Sequence, residues 1–257
     1  MSKIEYYREA LTNTEHIVNS GFGVSECKKW LKNIELISDF NEIETLFKNE
    51  EDLNKFRCLQ ILLQDKFNSP MPMNSYLNKK NVPSKLDLKQ KTWFDITDYS
   101  NSTLDFVKTE KLKSLNIVMS RIKHLDITNL PNLQSLTLMN LRNINSFSLG
   151  DMKNIKYLRV GRCPNLVDFS VFEKAKDVLW VIFDTNRHLS DISFMKNYQK
   201  IVCISITGSE VFKNPNTVEI LQNIKTLKFL NIMGKGTKKH RKIIAEALPD
   251  CLGNIRY

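Results

Sequence analysis

Between Leu112 and Ile232 an apolar-x-x-apolar-x-apolar pattern recurs six times, at Leu112/Leu115/Ile117, Leu133/Leu136/Leu138, Ile155/Leu158/Val160, Val178/Val181/Phe183, Ile201/Ile204/Ile206 and Leu227/Leu230/Ile232. The central positions 115, 136, 158, 181, 204 and 230 are spaced by 21, 22, 23, 23 and 26 residues. Alternation with period two predicts a short strand at each match, and the near-constant spacing predicts that the matches stack. A second series lies about half a period on, at Ile122/Leu125/Ile127, Ile144/Phe147/Leu149, Leu166/Phe169/Val171 and Leu189/Ile192/Phe194. One turn of chain with apolar residues on two opposed sides cannot bury them alone, whereas stacked turns share a continuous core. The second series predicts short strands or loose turns, and the pattern does not separate the two.

These residues resemble the leucine-rich repeat family, and the spacing is most similar to the 22-residue internalin type found in bacteria. The resemblance covers about residues 112–233. In that family Asn, Cys, Ser or Thr follows the strand three residues on, and its side chain bonds neighbouring backbone. The first series places Ser120, Leu141, Cys163, Asn186, Ser209 and Lys235 there, and the second places Leu130, Met152, Lys174 and Asn197. The first series is therefore identified with the concave sheet and the second with the convex side. The resemblance implies an α/β solenoid, a right-handed superhelix with short parallel β-strands, that binds another protein and catalyses nothing. Bacterial proteins of this type include effectors, adaptors and toxin-neutralising partners.

The flanks predict a division into three parts. Residues 1–92 read as a helical region and linker, with helix-spaced stripes at Ile4/Tyr7/Leu11, Cys27/Trp30/Leu31/Ile34/Ile37 and Leu53/Phe56/Leu59/Leu62, then Pro70, Pro72 and Pro83. This region caps the first coil of the array or forms a binding module of its own. Residues 93–236 form the repeat domain, opened by an atypical coil at Trp93–Tyr99 and Leu104–Val107. Residues 237–257 form a C-terminal helical cap, with Thr237 capping a helix that Pro249 ends.

Composition narrows the classes. The chain has 257 residues, 42% of them hydrophobic and 26% charged, as in a globular protein. The longest apolar run, Val178 to Phe183, is far short of the roughly 20 residues of a spanning helix, so no membrane span is expected. The charged stretch Met1 to Glu9 lacks the apolar core of a secretory leader. Together with five scattered cysteines and no Cys-x-x-Cys pair, it predicts a cytoplasmic location, with non-classical export as the alternative. The net charge of +10 is uneven: residues 1–100 sum to −1, and residues 101–257 carry 24 Lys+Arg against 13 Asp+Glu, or +11.

Motifs for catalysis, metals or cofactors do not assemble. Gly234-Lys235-Gly236-Thr237 is similar to a phosphate loop but has Gly236 where the hydroxyl residue belongs, and Gly21-Phe22-Gly23 is only a fragment of a dinucleotide fingerprint. His16, His124, His188 and His240 have no partners at ligand spacing. Cys163 reads as a turn residue and Cys203 as a strand residue. No enzyme, no cofactor and no metal site are expected.

Two surfaces remain. If the first series forms the concave sheet, the intervening residues make three columns toward solvent. The first column is Ser114, Ser135, Tyr157, Trp180, Cys203 and Phe229. The second is Asn116, Thr137, Arg159, Ile182, Ser205 and Asn231, and the third is Val118, Met139, Gly161, Asp184, Thr207 and Met233. Tyr157, Trp180 and Phe229 beside Arg159, Arg162, Ile182 and Asp184 form the candidate protein-binding patch, because exposed aromatics and arginines dominate binding hot spots. The rival is nucleic-acid binding through the basic run Lys238, Lys239, Arg241 and Lys242, without an interleaved aromatic to stack bases.

Overall fold

The chain divides into two compact units, Met1–Pro70 and Met71–Tyr257. The computed structural model describes residues 84–89, 91, 93–249 and 251–255. The helices expected within 1–66 and the prolines Pro70, Pro72 and Pro83 lie outside the described residues.

Each match of the first series becomes a strand. β2 (Trp93–Thr97), β4 (Ser114–Val118), β6 (Ser135–Met139), β8 (Tyr157–Gly161), β9 (Trp180–Asp184), β10 (Cys203–Ser209), β11 (Phe229–Gly234) and β12 (Leu252–Ile255) line up in that order in one sheet. β1 (Lys85–Leu86), β3 (Thr103–Phe106), β5 (His124–Asp126) and β7 (Ser146–Ser148) form a second sheet. Every pairing among the described strands is parallel. The register joins Leu115, Leu136, Leu158, Val181, Ile204 and Leu230 in one row. All six are at most 1% exposed, so the row is a spine of the core.

The return segments differ in conformation, and chain length decides how. The 21- and 22-residue intervals return through the short strands β5 and β7. The two 23-residue intervals return through 3-10 turns at Ser170–Lys174 and Ser193–Asn197, and the 26-residue interval contains α1 (Thr217–Asn223). A strand rises about 3.3 Å per residue, a 3-10 helix about 2.0 Å and an α-helix about 1.5 Å. Spanning the same distance in a tighter conformation therefore consumes the extra residues. Asp168 and Asp191 open the two 3-10 turns, each accepting hydrogen bonds from the backbone N–H and the hydroxyl of the serine two residues on.

The strand ends repeat a backbone device. Asp98, Met119, Asn140, Arg162, Thr185 and Gly208 all have φ between 51° and 59°, in the left-handed region. Five of the six carry side chains, and each pays roughly 1 to 2 kcal/mol for that conformation. The turn is held by the polar residue that follows. The Ser120 hydroxyl donates to the Val118 carbonyl at 3.0 Å and the Ser209 hydroxyl to that of Thr207 at 3.2 Å, while the Cys163 thiol points at Gly161 O at 3.4 Å. Asn186, fully buried, donates from Nδ2 to Val160 O at 2.8 Å and accepts at Oδ1 from the Cys163 N–H at 3.2 Å. Asn186→Ala strands a buried N–H and a buried carbonyl. Its urea unfolding midpoint is expected to fall by the equivalent of about 2 to 3 kcal/mol.

At the C-terminal end, α2 (Thr237–Ala247) forms as predicted, but Thr237 is not its cap. Gly236 occupies the N-cap in a left-handed conformation, with φ at 87°, and makes no side-chain cap bond. Glycine without a Cβ takes that sharp entry directly. The chain then continues past the helix into β12, which pairs with β11.

Candidate functional site

The register carries Tyr157, Arg159, Trp180, Ile182 and Asp184 to the face of the eight-stranded sheet opposite the leucine row. Tyr157 pairs across to Trp180, Arg159 to Ile182 and Gly161 to Asp184. Arg162 follows β8 immediately, is exposed, and donates its backbone N–H to Asp184 O at 2.7 Å. The Asp184 carboxylate accepts from the hydroxyls of Thr207 at 2.6 Å and Thr185 at 2.8 Å, so its position is set from two sides. The side chains of Phe229 and Arg241 lie outside the described residues.

One expectation is corrected. Tyr157, Trp180 and Ile182 do not form a row open to solvent: they are 0%, 3% and 7% exposed. Tyr157 and Trp180 meet edge to face, with centroids 5.3 Å apart and planes at 87°. In a parallel ladder, rings at paired positions sit close enough for this favourable geometry. The burial extends to their column neighbours, with Ser135 and Cys203 both at 0%. In the second and third columns Arg159, Asp184, Ser205, Thr207 and Met139 are half-buried, while Thr137, Ile182 and Gly161 are enclosed.

Beside this apolar column runs a polar one, in which several buried atoms have no hydrogen-bond partner: Asn116 Oδ1, Thr137 Oγ1, Arg159 Nε and Asn231 Oδ1, with Ser135 Oγ adjacent. Reading alternate positions places Asn116 and Thr137 on this face, but nothing in that pattern shows that they are enclosed. At the start of the same column, burial raises the Asp95 carboxyl to about 6 against a hydrogen bond from Asn116 that lowers it. The folded carboxyl thus keeps its proton to higher pH than the unfolded one, so stability declines as pH rises from about 4 to about 6 and then levels off. Asp95 is only half-buried, which reduces the penalty by solvent screening to the order of 1 kcal/mol. Asp95→Asn is expected to recover about that amount above pH 6 and nothing below pH 4, read from urea midpoints at the two values.

The basic run is displayed on α2, with Lys238, Lys239 and Lys242 exposed and Lys242 3.8 Å from Glu246. An aromatic does approach this helix in space: Phe212 stacks on His240 with centroids 4.6 Å apart and planes at 3°. The contact crosses from another coil, so adjacency in sequence could not reveal it.

A groove of about 380 Å³ lies on the return-segment side, lined by Asp168, Glu173, His188 and Asp191 among others. Its carboxylates are already engaged: Asp168 and Asp191 by the turn serines, Asp191 also by Asn214 at 2.7 Å, and Glu173 by Asn197 at 2.6 Å. Among the described residues no three His, Cys, Asp or Glu side chains are grouped to hold a metal ion. Burial pushes the Cys163 thiol up to about 12, against the hydrogen bonds from its turn, and raises Cys251 to about 12 in the same way. Neither sulfur supplies a thiolate near neutral pH. No described helix is long and apolar enough to cross a membrane. The chain matches no protein-family model and no curated protein.

Proposed function

We propose that the chain is a leucine-rich repeat solenoid acting as a non-enzymatic protein-binding module, with its partner seated on the outer face of the long parallel sheet. The observation that supports this reading is the parallel register of eight strands, shifted only at Gly208 between β10 and β11, which sets one residue per strand into rows along the sheet. Polar and charged residues on such a platform are held in fixed positions, and a partner then loses little entropy to ordering on this side. The working residues are Arg159, Arg162 and Asp184, flanked by Thr207 and Met139, with Tyr157 and Trp180 buried in the neighbouring column. The resemblance to bacterial repeat proteins places effector, adaptor and toxin-neutralising roles within this reading.

The test is affinity capture from nuclease-treated lysate with wild type and with Arg159→Ala/Arg162→Ala. The double variant keeps the buried aromatic pair and is expected to fold. It should lose more than about 2 kcal/mol of affinity for a true partner. Capture that ignores this change and disappears with nuclease or moderate salt moves the function to Lys238, Lys239, Arg241 and Lys242 and to nucleic acid, whose phosphate contacts weaken steeply with salt.

A further inference from the structure

We propose that the exposed basic face of α2, with the His240 ring on its flank, binds single-stranded nucleic acid. The inference goes beyond the protein-binding reading and shares no residue with it.

The first observation is a concentration of positive charge that folding does not require. Lys238, Lys239 and Lys242 are all exposed on α2, and at 3.6 residues per turn they fall within an arc of about 100°. Lys235 is exposed in the turn just before the helix, and Arg241 belongs to the same run. Lys238 and Lys242 stand four residues apart, and Lys239 and Lys242 three, spacings at which like charges repel. The first turn of α2 holds no acidic residue, and its N-cap makes no side-chain bond. Cations placed there also oppose the positive end of the helix dipole. The nearby carboxylates are already shared out: Glu246 lies 3.8 Å from Lys242, and Glu210 serves both Lys213 and Lys235. A helix that breaks both charge rules at one end gains from a polyanion laid along it, and the +11 carried by residues 101–257 favours its approach.

The second observation is an aromatic ring held in place beside these cations. His240 stacks on Phe212 with centroids 4.6 Å apart and planes at 3°, and its Nδ1 donates to the Gly236 carbonyl at 3.0 Å. Phe212 covers one face, and both residues are half-buried. The other face of a ring fixed at two points is a ready platform for a base, because stacking on it costs no further side-chain freedom. The aromatic that the basic run lacks in sequence is thus supplied across coils. Stacking needs an unpaired base, which selects a single strand over a duplex. An anionic membrane would instead need an apolar face on the same helix. Among the described residues of α2, Ile243 is the one exposed large apolar residue, and Glu246 follows it three positions on, on the same side.

The test is fluorescence anisotropy of the full-length chain with a labelled oligothymidylate and with an abasic oligodeoxyribose phosphate of equal length. Three engaged phosphates predict an affinity that falls roughly twentyfold between about 50 and about 200 mM salt. Lys238→Gln/Lys239→Gln/Lys242→Gln should weaken oligothymidylate at least about tenfold at low salt and flatten that dependence. His240→Ala should weaken it at least about fivefold with the salt dependence unchanged, His240→Phe should restore it, and the abasic strand should ignore both changes. Far-UV circular dichroism checks that each variant keeps its helix. Wild type that fails to bind oligothymidylate at low salt, or binds the abasic strand equally well, overturns the proposal without reference to any variant. So does binding that survives the triple substitution in a folded chain. Vesicles of phosphatidylserine and phosphatidylcholine that displace oligothymidylate fully, and release the chain on Ile243→Ser, would assign the face to membranes and overturn it as well. None of these outcomes bears on capture through Arg159 and Arg162, so the two readings fail separately.

Discussion

Phe183→Ala is expected to destabilise the chain by about 3 to 5 kcal/mol, enough to consume much of the stability of an ordinary domain. The reason is the position of Phe183 in the core. It is completely buried on β9 and touches Phe169 edge to face at 5.7 Å, Phe172 at 6.0 Å and Phe194 edge to face at 5.9 Å. These rings come from the two 3-10 return segments flanking β9, and Phe147 and Tyr198 extend the cluster at each end. The Tyr198 hydroxyl donates to Phe172 O at 3.0 Å, fixing one 3-10 turn to the next. Truncation of Phe183 therefore opens a cavity lined by rings from the return segments on both sides of β9, which neither can fill alone. Phe183→Leu leaves most of the volume occupied and should cost less than half as much. The measurement is the urea midpoint and slope of both variants by far-UV circular dichroism. Equal loss in the two would mean that ring geometry, rather than filled volume, sustains this part of the core.

The strands and their register were legible because two independent periods agree. Alternation marks Leu115, Leu136, Leu158, Val181, Ile204 and Leu230 as inward, and a spacing near 22 aligns them strand to strand. The turn positions of Ser120, Cys163, Asn186 and Ser209 were legible through the family resemblance, and each makes a backbone contact of the expected kind. Other features left no signal in residue type. Met119, Arg162 and Thr185 adopt left-handed backbone that their side chains disfavour, because the strand-to-turn geometry repeated at six of the described strands outweighs local preference. α1 was missed although Ile220 and Leu221 are fully buried. Its trace in the sequence was the long 26-residue interval, which shows that extra chain is present without saying how it is folded. Surface exposure was the least legible property. Period two states to which side of a sheet a residue points, and Tyr157 and Trp180 do point outward, yet it carries no information on how much solvent reaches that side.

Trp180→Ala is accordingly expected to act on folding, with a loss of about 3 to 5 kcal/mol, the same order as Phe183→Ala. An exposed hot-spot tryptophan would behave differently: its removal would weaken a complex while changing stability by no more than about 0.5 kcal/mol. The two cases separate in one urea titration of the free protein. Trp180 lies 3% exposed, edge on to Tyr157, between two column neighbours that are fully enclosed. Its deletion removes an aromatic contact as well as a large apolar area. Tyr157→Ala should be similarly costly, and the double variant should be less destabilised than the sum of the two, because each ring loses its partner in either single variant. A Trp180→Ala protein as stable as wild type would return the aromatic column to the exposed face and restore Tyr157 and Trp180 as contact residues. The expected large loss instead assigns the Tyr157–Trp180 pair to the stability of the sheet and removes it from the proposed contact residues.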